Sequence, residues 1–245
     1  MSTTENVNRL RELSITLTSD ALEEIRSHRQ KADTKNEVHL ISGEYLLIEG
    51  AEYVEATWQA ILSERYNASL ALSRWILEAA LNLSWAVANK QEKDSKLRIL
   101  AGEALRCEAN LQEGLAILRP KEATTFYKNA EEARTVRESL GVDKPLDLER
   151  RLQDIKQEDN PKWPDLYPFY RICCGAAHPS LKVWERFAHC EGTTVSTEPI
   201  SKQDIACWIA AASALYLVTF VYCLAELGDL DQLKAWWADE VSPLL

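Results

Sequence analysis

Apolar residues recur every three or four positions through most of this 245-residue chain, and nowhere do they alternate as a half-buried strand requires. From Val38 to Arg65 the stripe Ile41, Tyr45, Ile48, Ala51, Val54, Trp58 and Ile61 predicts one long amphipathic helix, despite Gly43 and Gly50. Residues 69–89 are apolar around most of the circumference, which predicts a central helix that Asn67 can cap. A third stripe, Leu97, Leu100, Ala104, Cys107, Leu111, Leu115 and Leu118, runs through residues 94–118 with Arg, Glu and Gln opposite it. Residues 5–30 read as a polar helical segment with a thin apolar face. It breaks near Thr18-Ser19-Asp20, where Asp20 and Glu23 can form a capping box for a second helix. Residues 121–139 and 145–157 are more charged, with Pro120 and Pro145 as helix starts and Gly141 as a stop, and predict exposed helices.

The 21 residues Ile205 to Ala225 carry no charge, a length that could cross a membrane. Six alanines lower the apolar bulk, Ser201 and Asp204 supply a cap on the water side, and Lys202 is the lone flanking base. A helix apolar all round is also what the centre of a large bundle needs, so the expectation is a buried core helix of a soluble protein. Gly228 ends it, and a short helix over Leu230–Asp239 carries Trp236 and Trp237 as a packing lid or dimer contact. Before it, residues 160–168 form a Pro-punctuated connection, and a helical turn through Trp184 and Phe187 gives way to a polar loop ending at Pro199. The sum is an all-α, multi-helix up-down bundle with a long buried C-terminal helix. It divides into a helical extension (1–36), a bundle domain (37–228) and a short helix with tail (229–245).

Composition agrees with a globular fold: 46% hydrophobic and 27% charged residues exclude disorder, and eight Gly with eight Pro imply few loops. The net charge of −10 is uneven, residues 191–245 holding eight acids against two bases while residues 145–190 hold seven of each. No segment forms a basic patch suited to gripping nucleic acid. The six cysteines lack a framework spacing and read as reduced thiols. No basic segment followed by an apolar core opens the chain, so the expected location is the cytoplasm, where the sequons at Asn67 and Asn82 carry no consequence.

The densest chemistry lies in Tyr170-Arg-Ile-Cys-Cys-Gly-Ala-Ala-His-Pro-Ser180. In a helix, Arg171 and His178 share a face about 10 Å apart along the axis, and Tyr170, Cys174 and His178 stack at four-residue steps. Pro179 pushes His178 out of helical geometry and leaves its imidazole at a helix C-terminus, where the dipole favours the protonated form. Arg74 and Glu78, four apart on the apolar 69–89 helix, predict an ion pair, made to each other or to the 170–178 segment. Three uses of these groups stand beside one another. They can form a structural polar network, with His178 capping a helix and bonding the Arg74/Glu78 pair. They can form an active site. Cys174, His178, His189 and Cys190 could in principle hold zinc, although the adjacent His189 and Cys190 chelate poorly and no usual metal spacing occurs, so no metal or cofactor is expected.

Arg74-x3-Glu78 followed by Tyr170-x3-Cys174-x3-His178-Pro179 resembles an uncharacterised family of bacterial all-α bundle proteins that carry Tyr-x3-Ser-x3-His-Pro in the second motif. Arg171-x6-His178 on a late helix, followed by a final buried helix, is similar to the layout of HEPN (higher eukaryotes and prokaryotes nucleotide-binding) domains. The sequence departs from these patterns at Cys174, where the bacterial family has Ser, and at Ile172, where the nucleases have a polar residue. The HEPN resemblance implies metal-independent RNA cleavage by a toxin or defence component. His178 would move the proton, Arg171 would steady charge on the phosphate, and Glu78 or Tyr170 would orient the imidazole, with Arg74 in the same site. It also implies a homodimer and an RNA substrate, and a toxin of this kind would meet a protein antitoxin. The competing expectation is a noncatalytic interaction or regulatory bundle, binding another protein through Trp236 and Trp237 or the acidic C-terminal third.

Overall fold

The computed structural model describes residues 4–31, 37–142, 147–157, 167–177, 189–191, 194–196, 202–227 and 230–244. Nearly all of them are helical. The helices are α1 (Thr4–Arg29), α2 (Glu37–Leu62), α3 (Tyr66–Val87), α4 (Lys93–Leu118), α5 (Ala123–Ser139), α6 (Leu148–Gln157), α7 (Tyr167–Ala177), α8 (Lys202–Ala225) and α9 (Leu230–Trp236). A 3₁₀ turn (Pro120–Glu122) precedes α5, and a wide π turn (Trp237–Val241) follows α9. The polar loop expected before Pro199 contains two three-residue strands, β1 (His189–Glu191) and β2 (Thr194–Ser196), antiparallel with Cys190 opposite Val195. The segment 181–188, expected to hold a helical turn, lies outside the described residues.

The chain forms two compact units, Met1–Leu83 with Lys162–Leu245, and Ser84–Pro161. At the centre of the first is α8, whose Ala210, Leu217, Val218, Phe220, Val221 and Leu224 are all at most 2% exposed. The expectation of a buried core helix is met. It is the one described helix long and apolar enough to cross a membrane, and most of it is covered by protein.

Helix α1 is continuous, without the break expected at Thr18-Ser19-Asp20. The Ser14 hydroxyl donates to Leu10 O (2.8 Å) and the Thr18 hydroxyl to Ser14 O (3.2 Å) and Ile15 O (3.0 Å). Hydroxyls that bond back to the preceding turn need no exit from the helix. Val7, Leu10, Ser14, Thr18, Ala21 and Ile25 then form a continuous buried face packed along α2 and α8. Two polar ties fasten it: Tyr222 OH donates to Glu24 Oε2 (2.6 Å), and the buried Glu44 accepts from Arg26 Nε (2.9 Å) and Arg29 Nη1.

The face that α2 buries is not the predicted one in its first half. Ile41, Tyr45 and Ile48 are 45%, 62% and 39% exposed, while Leu40, Leu47, Val54, Trp58 and Ile61 are buried together with Gly43 and Gly50. The glycines explain the rotation. A Cβ on Gly50 would lie 2.2 Å from Leu217 Cδ2, and one on Gly43 would lie 3.0 Å from Val221 Cγ1, so α2 meets α8 along its two bare positions. Helix α2 ends on Glu64 in the left-handed region (φ 58°), with Arg65 N bonded to Ala60 O at 2.8 Å. The end of α8 repeats this arrangement at Glu226 (φ 56°), with Leu227 N bonded to Tyr222 O at 2.9 Å. The stop therefore precedes Gly228. Helix α3 starts at Tyr66, so Asn67 lies in its first turn rather than capping it.

In the second unit α4 and α5 form a hairpin whose seam is made of small residues, Ala109 against Ala130 and Ala133, with Leu105 alongside. A Cβ on Gly102 would come within 2.6 Å of Val142 Cγ2. The leucine stripe expected to be the buried side of α4 points the other way: Ala104, Cys107, Leu111 and Leu118 are exposed, and Leu97, Leu100 and Leu115 half-buried. Helix α6, expected to be exposed, buries one of its charged residues. Its buried Arg151 stands over the Trp85 ring at 5.3 Å, Lys96 Nζ lies 5.3 Å from the same ring, and Trp85 Nε1 donates to Asp154 Oδ2 at 3.1 Å.

Candidate functional site

Helix α7 carries the residues singled out in the sequence. Pro168 sits in its first turn, where a missing N–H costs nothing. Cys173, fully buried, joins Leu70 and Leu77 of α3 and Ile209 of α8 in a core cluster flanked by Phe169, Ile172 and Trp208. The ring of Phe169 lies 4.4 Å from that of Trp208, and Trp237 meets Trp208 edge-on at 6.4 Å. Trp237 thus packs against α8 at Trp208.

This anchoring turns Tyr170 toward α3. Arg74 Nη2 donates to Tyr170 OH at 3.5 Å, Tyr170 OH donates to Glu78 Oε2 at 3.5 Å, and Arg74 Nε lies 3.9 Å from Glu78 Oε2. The guanidinium also stands over the Tyr170 ring, 5.7 Å from its centroid. Arg74 and Glu78 therefore pair with each other and with the segment around residue 170, as the spacing predicted. The pair is not buried, since the two side chains are 32% and 47% exposed.

Solvent access changes the energetics. A buried pair would lose about 3 kcal/mol when broken, whereas an exposed one of this geometry contributes under about 1 kcal/mol. The Tyr170 hydroxyl beside Arg74 holds its guanidinium above an already high pKa, against the opposing effect of partial burial. Burial, reinforced by Cys174, pushes the Tyr170 phenol up to about 12, with Arg74 pulling the other way. Burial likewise raises the Cys173 thiol to about 12, so that sulfur is a packing atom rather than a nucleophile.

Arg171 is exposed on α7. His178 follows the last described residue of that helix, so the shared Arg171/His178 face and the placement of the imidazole lie outside the described residues, as do the side chains of His189 and Cys190. Among the described residues no group of three or more His, Cys, Asp or Glu is placed to hold a metal ion.

Two features were missed in the sequence. Tyr53 and Trp75 stack in parallel, centroids 4.4 Å apart and planes 2° apart, one residue along α3 from Arg74. The cationic surround of Trp85 was the other, and its signal was the amphipathic order of residues 148–157. Fold and site together define an all-α helical-bundle protein with a solvent-open Arg–Glu–Tyr network. Searches found no family model, curated protein or solved structure that matches the chain.

Proposed function

We propose that this is a cytoplasmic, HEPN-like bundle protein that cleaves RNA without a metal, as a toxin or defence component. One observation carries the proposal: Arg74 and Glu78, 92 or more residues from Tyr170 in sequence, meet it in a half-exposed network on the helix from which Arg171 emerges. In this reading His178 takes the proton of a ribose 2′-hydroxyl, whose oxygen attacks the adjacent phosphorus while the bond to the 5′-oxygen breaks. The products are a 2′,3′-cyclic phosphate and a 5′-hydroxyl. Arg171 steadies the charge that builds on the phosphoryl oxygens, and Arg74, Glu78 and Tyr170 orient the site.

A noncatalytic interaction module is the second reading, and it too has an observation in its favour. The Tyr170 hydroxyl bridges Arg74 and Glu78, so the three side chains satisfy one another and clasp α7 to α3. The two readings separate on Arg171→Lys and His178→Gln. Lysine keeps the charge and loses the planar fork; glutamine keeps hydrogen bonding and cannot shuttle a proton near neutral pH. The assay is cleavage of total cellular RNA in chelator, scored for cyclic phosphate ends, beside thermal unfolding. An enzyme loses cleavage with its melting temperature kept. Intact RNA with the wild-type protein, or equal cutting by both variants, sinks the nuclease reading.

A further inference from the structure

Helix α1 ends in a run without an acid: Arg26, His28, Arg29 and Lys31 fall within six residues of a chain whose net charge is −10. Cations in the last turn of a helix are ordinary, because they face the negative end of its dipole. The fold adds a carboxylate from another helix. Glu44 of α2, 8% exposed, accepts from Arg26 Nε at 2.9 Å through one oxygen and from Arg29 Nη1 through the other. Residues three apart share a helix face, so this single carboxylate fixes two guanidiniums side by side. Both remain nearly half in water, their side chains 49% and 42% exposed. Among the described residues, the two Nη groups of Arg26 and the Nε and Nη2 groups of Arg29 donate to no acceptor. Two cations held by one anion leave an unbalanced positive charge at close quarters, which a second anion relieves.

We propose that Arg26 and Arg29, set in place by Glu44, form a phosphate-binding site. A phosphate offers several acceptor oxygens to two planar forks, and guanidinium matches that arrangement with paired, charge-assisted hydrogen bonds. His28 and Lys31, exposed at the same helix end, lie round the helix from the pair and add to the local positive potential. The site is remote from the Arg74–Tyr170 network. Glu24, two residues before Arg26, is bonded to Tyr222 of α8, whereas α7 rests on Ile209, about 20 Å earlier along that helix. A ligand that reaches both places must be a strand rather than a small phosphate. In the RNA-cleaving reading, on which this last step alone rests, the site therefore holds a backbone phosphodiester several nucleotides from the cut.

The test is fluorescence anisotropy with a labelled single-stranded RNA of about 12 nucleotides, 2′-O-methylated throughout. Methylation removes the attacking hydroxyl, so the assay reads binding and not cleavage. The wild-type chain is expected to bind with a dissociation constant below about 100 µM at low salt. Arg26→Lys with Arg29→Lys should weaken binding by about tenfold or more, because lysine keeps the charge and a bond to Glu44 but loses the fork. The melting temperature should stay within a few degrees of wild type. Inorganic phosphate should displace the strand more readily than chloride at the same ionic strength. If the double variant unfolds, the wild type decides: the strand should shield Arg26 and Arg29 from phenylglyoxal, read by mass spectrometry of the digested chain. No binding, binding that the variant leaves unchanged, displacement by phosphate no better than by chloride, or arginines that the strand leaves open to the reagent overturns the proposal. The site and the nuclease reading fail separately. A chain that binds the strand through these arginines and cuts no natural RNA keeps the site and loses the nuclease; one that cuts RNA while the variant binds as tightly as wild type keeps the nuclease and loses the site.

Discussion

Gly50→Ala should destabilise the first unit even though alanine is the better helix former. Exchanging glycine for alanine inside a helix is worth about 1 kcal/mol in favour of alanine where the site is open. At Gly50 the new methyl would lie 2.2 Å from Leu217 Cδ2, well inside van der Waals contact. Leu217 is itself 0% exposed at the centre of α8, so its end has no solvent to swing into. Overpacking of this kind costs roughly 1–3 kcal/mol before the helix gain is subtracted. Since a 2.2 Å approach calls for a shift of more than an ångström, a cost near the upper end is expected and a net loss of about 1–2 kcal/mol should remain. Two other glycines calibrate the argument. Gly114 of α4 has nothing within 4 Å of an added Cβ, and Gly114→Ala should raise the stability of its own unit by about 1 kcal/mol. Gly43, with Val221 at 3.0 Å, should fall between them. Urea denaturation followed by circular dichroism reads all three. A Leu217→Ala partner should rescue part of the Gly50→Ala loss, with a coupling of about 1 kcal/mol or more in the double-mutant cycle. If Gly50→Ala proves as stable as wild type, the α2–α8 close approach is wrong, and with it the reason given for the exposure of Ile41, Tyr45 and Ile48.

Arg74→Ala and Tyr170→Phe should each lower stability by under about 1 kcal/mol, because the network they leave is half in water; a loss near 3 kcal/mol in urea denaturation would mean that it is buried. Glu44→Gln should cost more, about 1–2 kcal/mol, since that carboxylate is buried and holds two arginines, which being half-exposed can relax toward solvent; a change below 0.3 kcal/mol would argue against the clamp. Tyr170, Cys173 and Cys207 all have folded pKa values raised to about 12, so their contribution is fully present below their unfolded values (about 9 for the thiols, 10 for the phenol) and is lost as pH climbs toward 12. Stability should therefore drop between pH 9 and 12, and tyrosinate absorbance that titrates fully at pH 10 with the helices intact would contradict this. At pH 8 the exposed Cys107 should react with a thiol reagent well before the buried Cys173 and Cys207, and simultaneous modification would show that the core opens.

The sequence by itself determined that the chain is helical, roughly where each helix lies, and that residues 205–225 are core. Period and length carry that information, because backbone hydrogen bonding within a helix is local and needs no partner. It also supplied the Arg74–Glu78 pairing, since four-residue spacing puts the two side by side on one face of α3 before any packing occurs, whereas the meeting with Tyr170 needed α7 to lie against α3. What it could not decide was which arc of a helix with two apolar arcs would be covered. On α2 the bare backbone at Gly43 and Gly50 won over the bulkier Ile41 and Tyr45, and on α4 the alanine seam won over the leucines. Hydrophobicity ranks the side chains, but how closely two helices can approach is a property of the pair, and that distance exists only once α8 lies against α2 and α5 against α4.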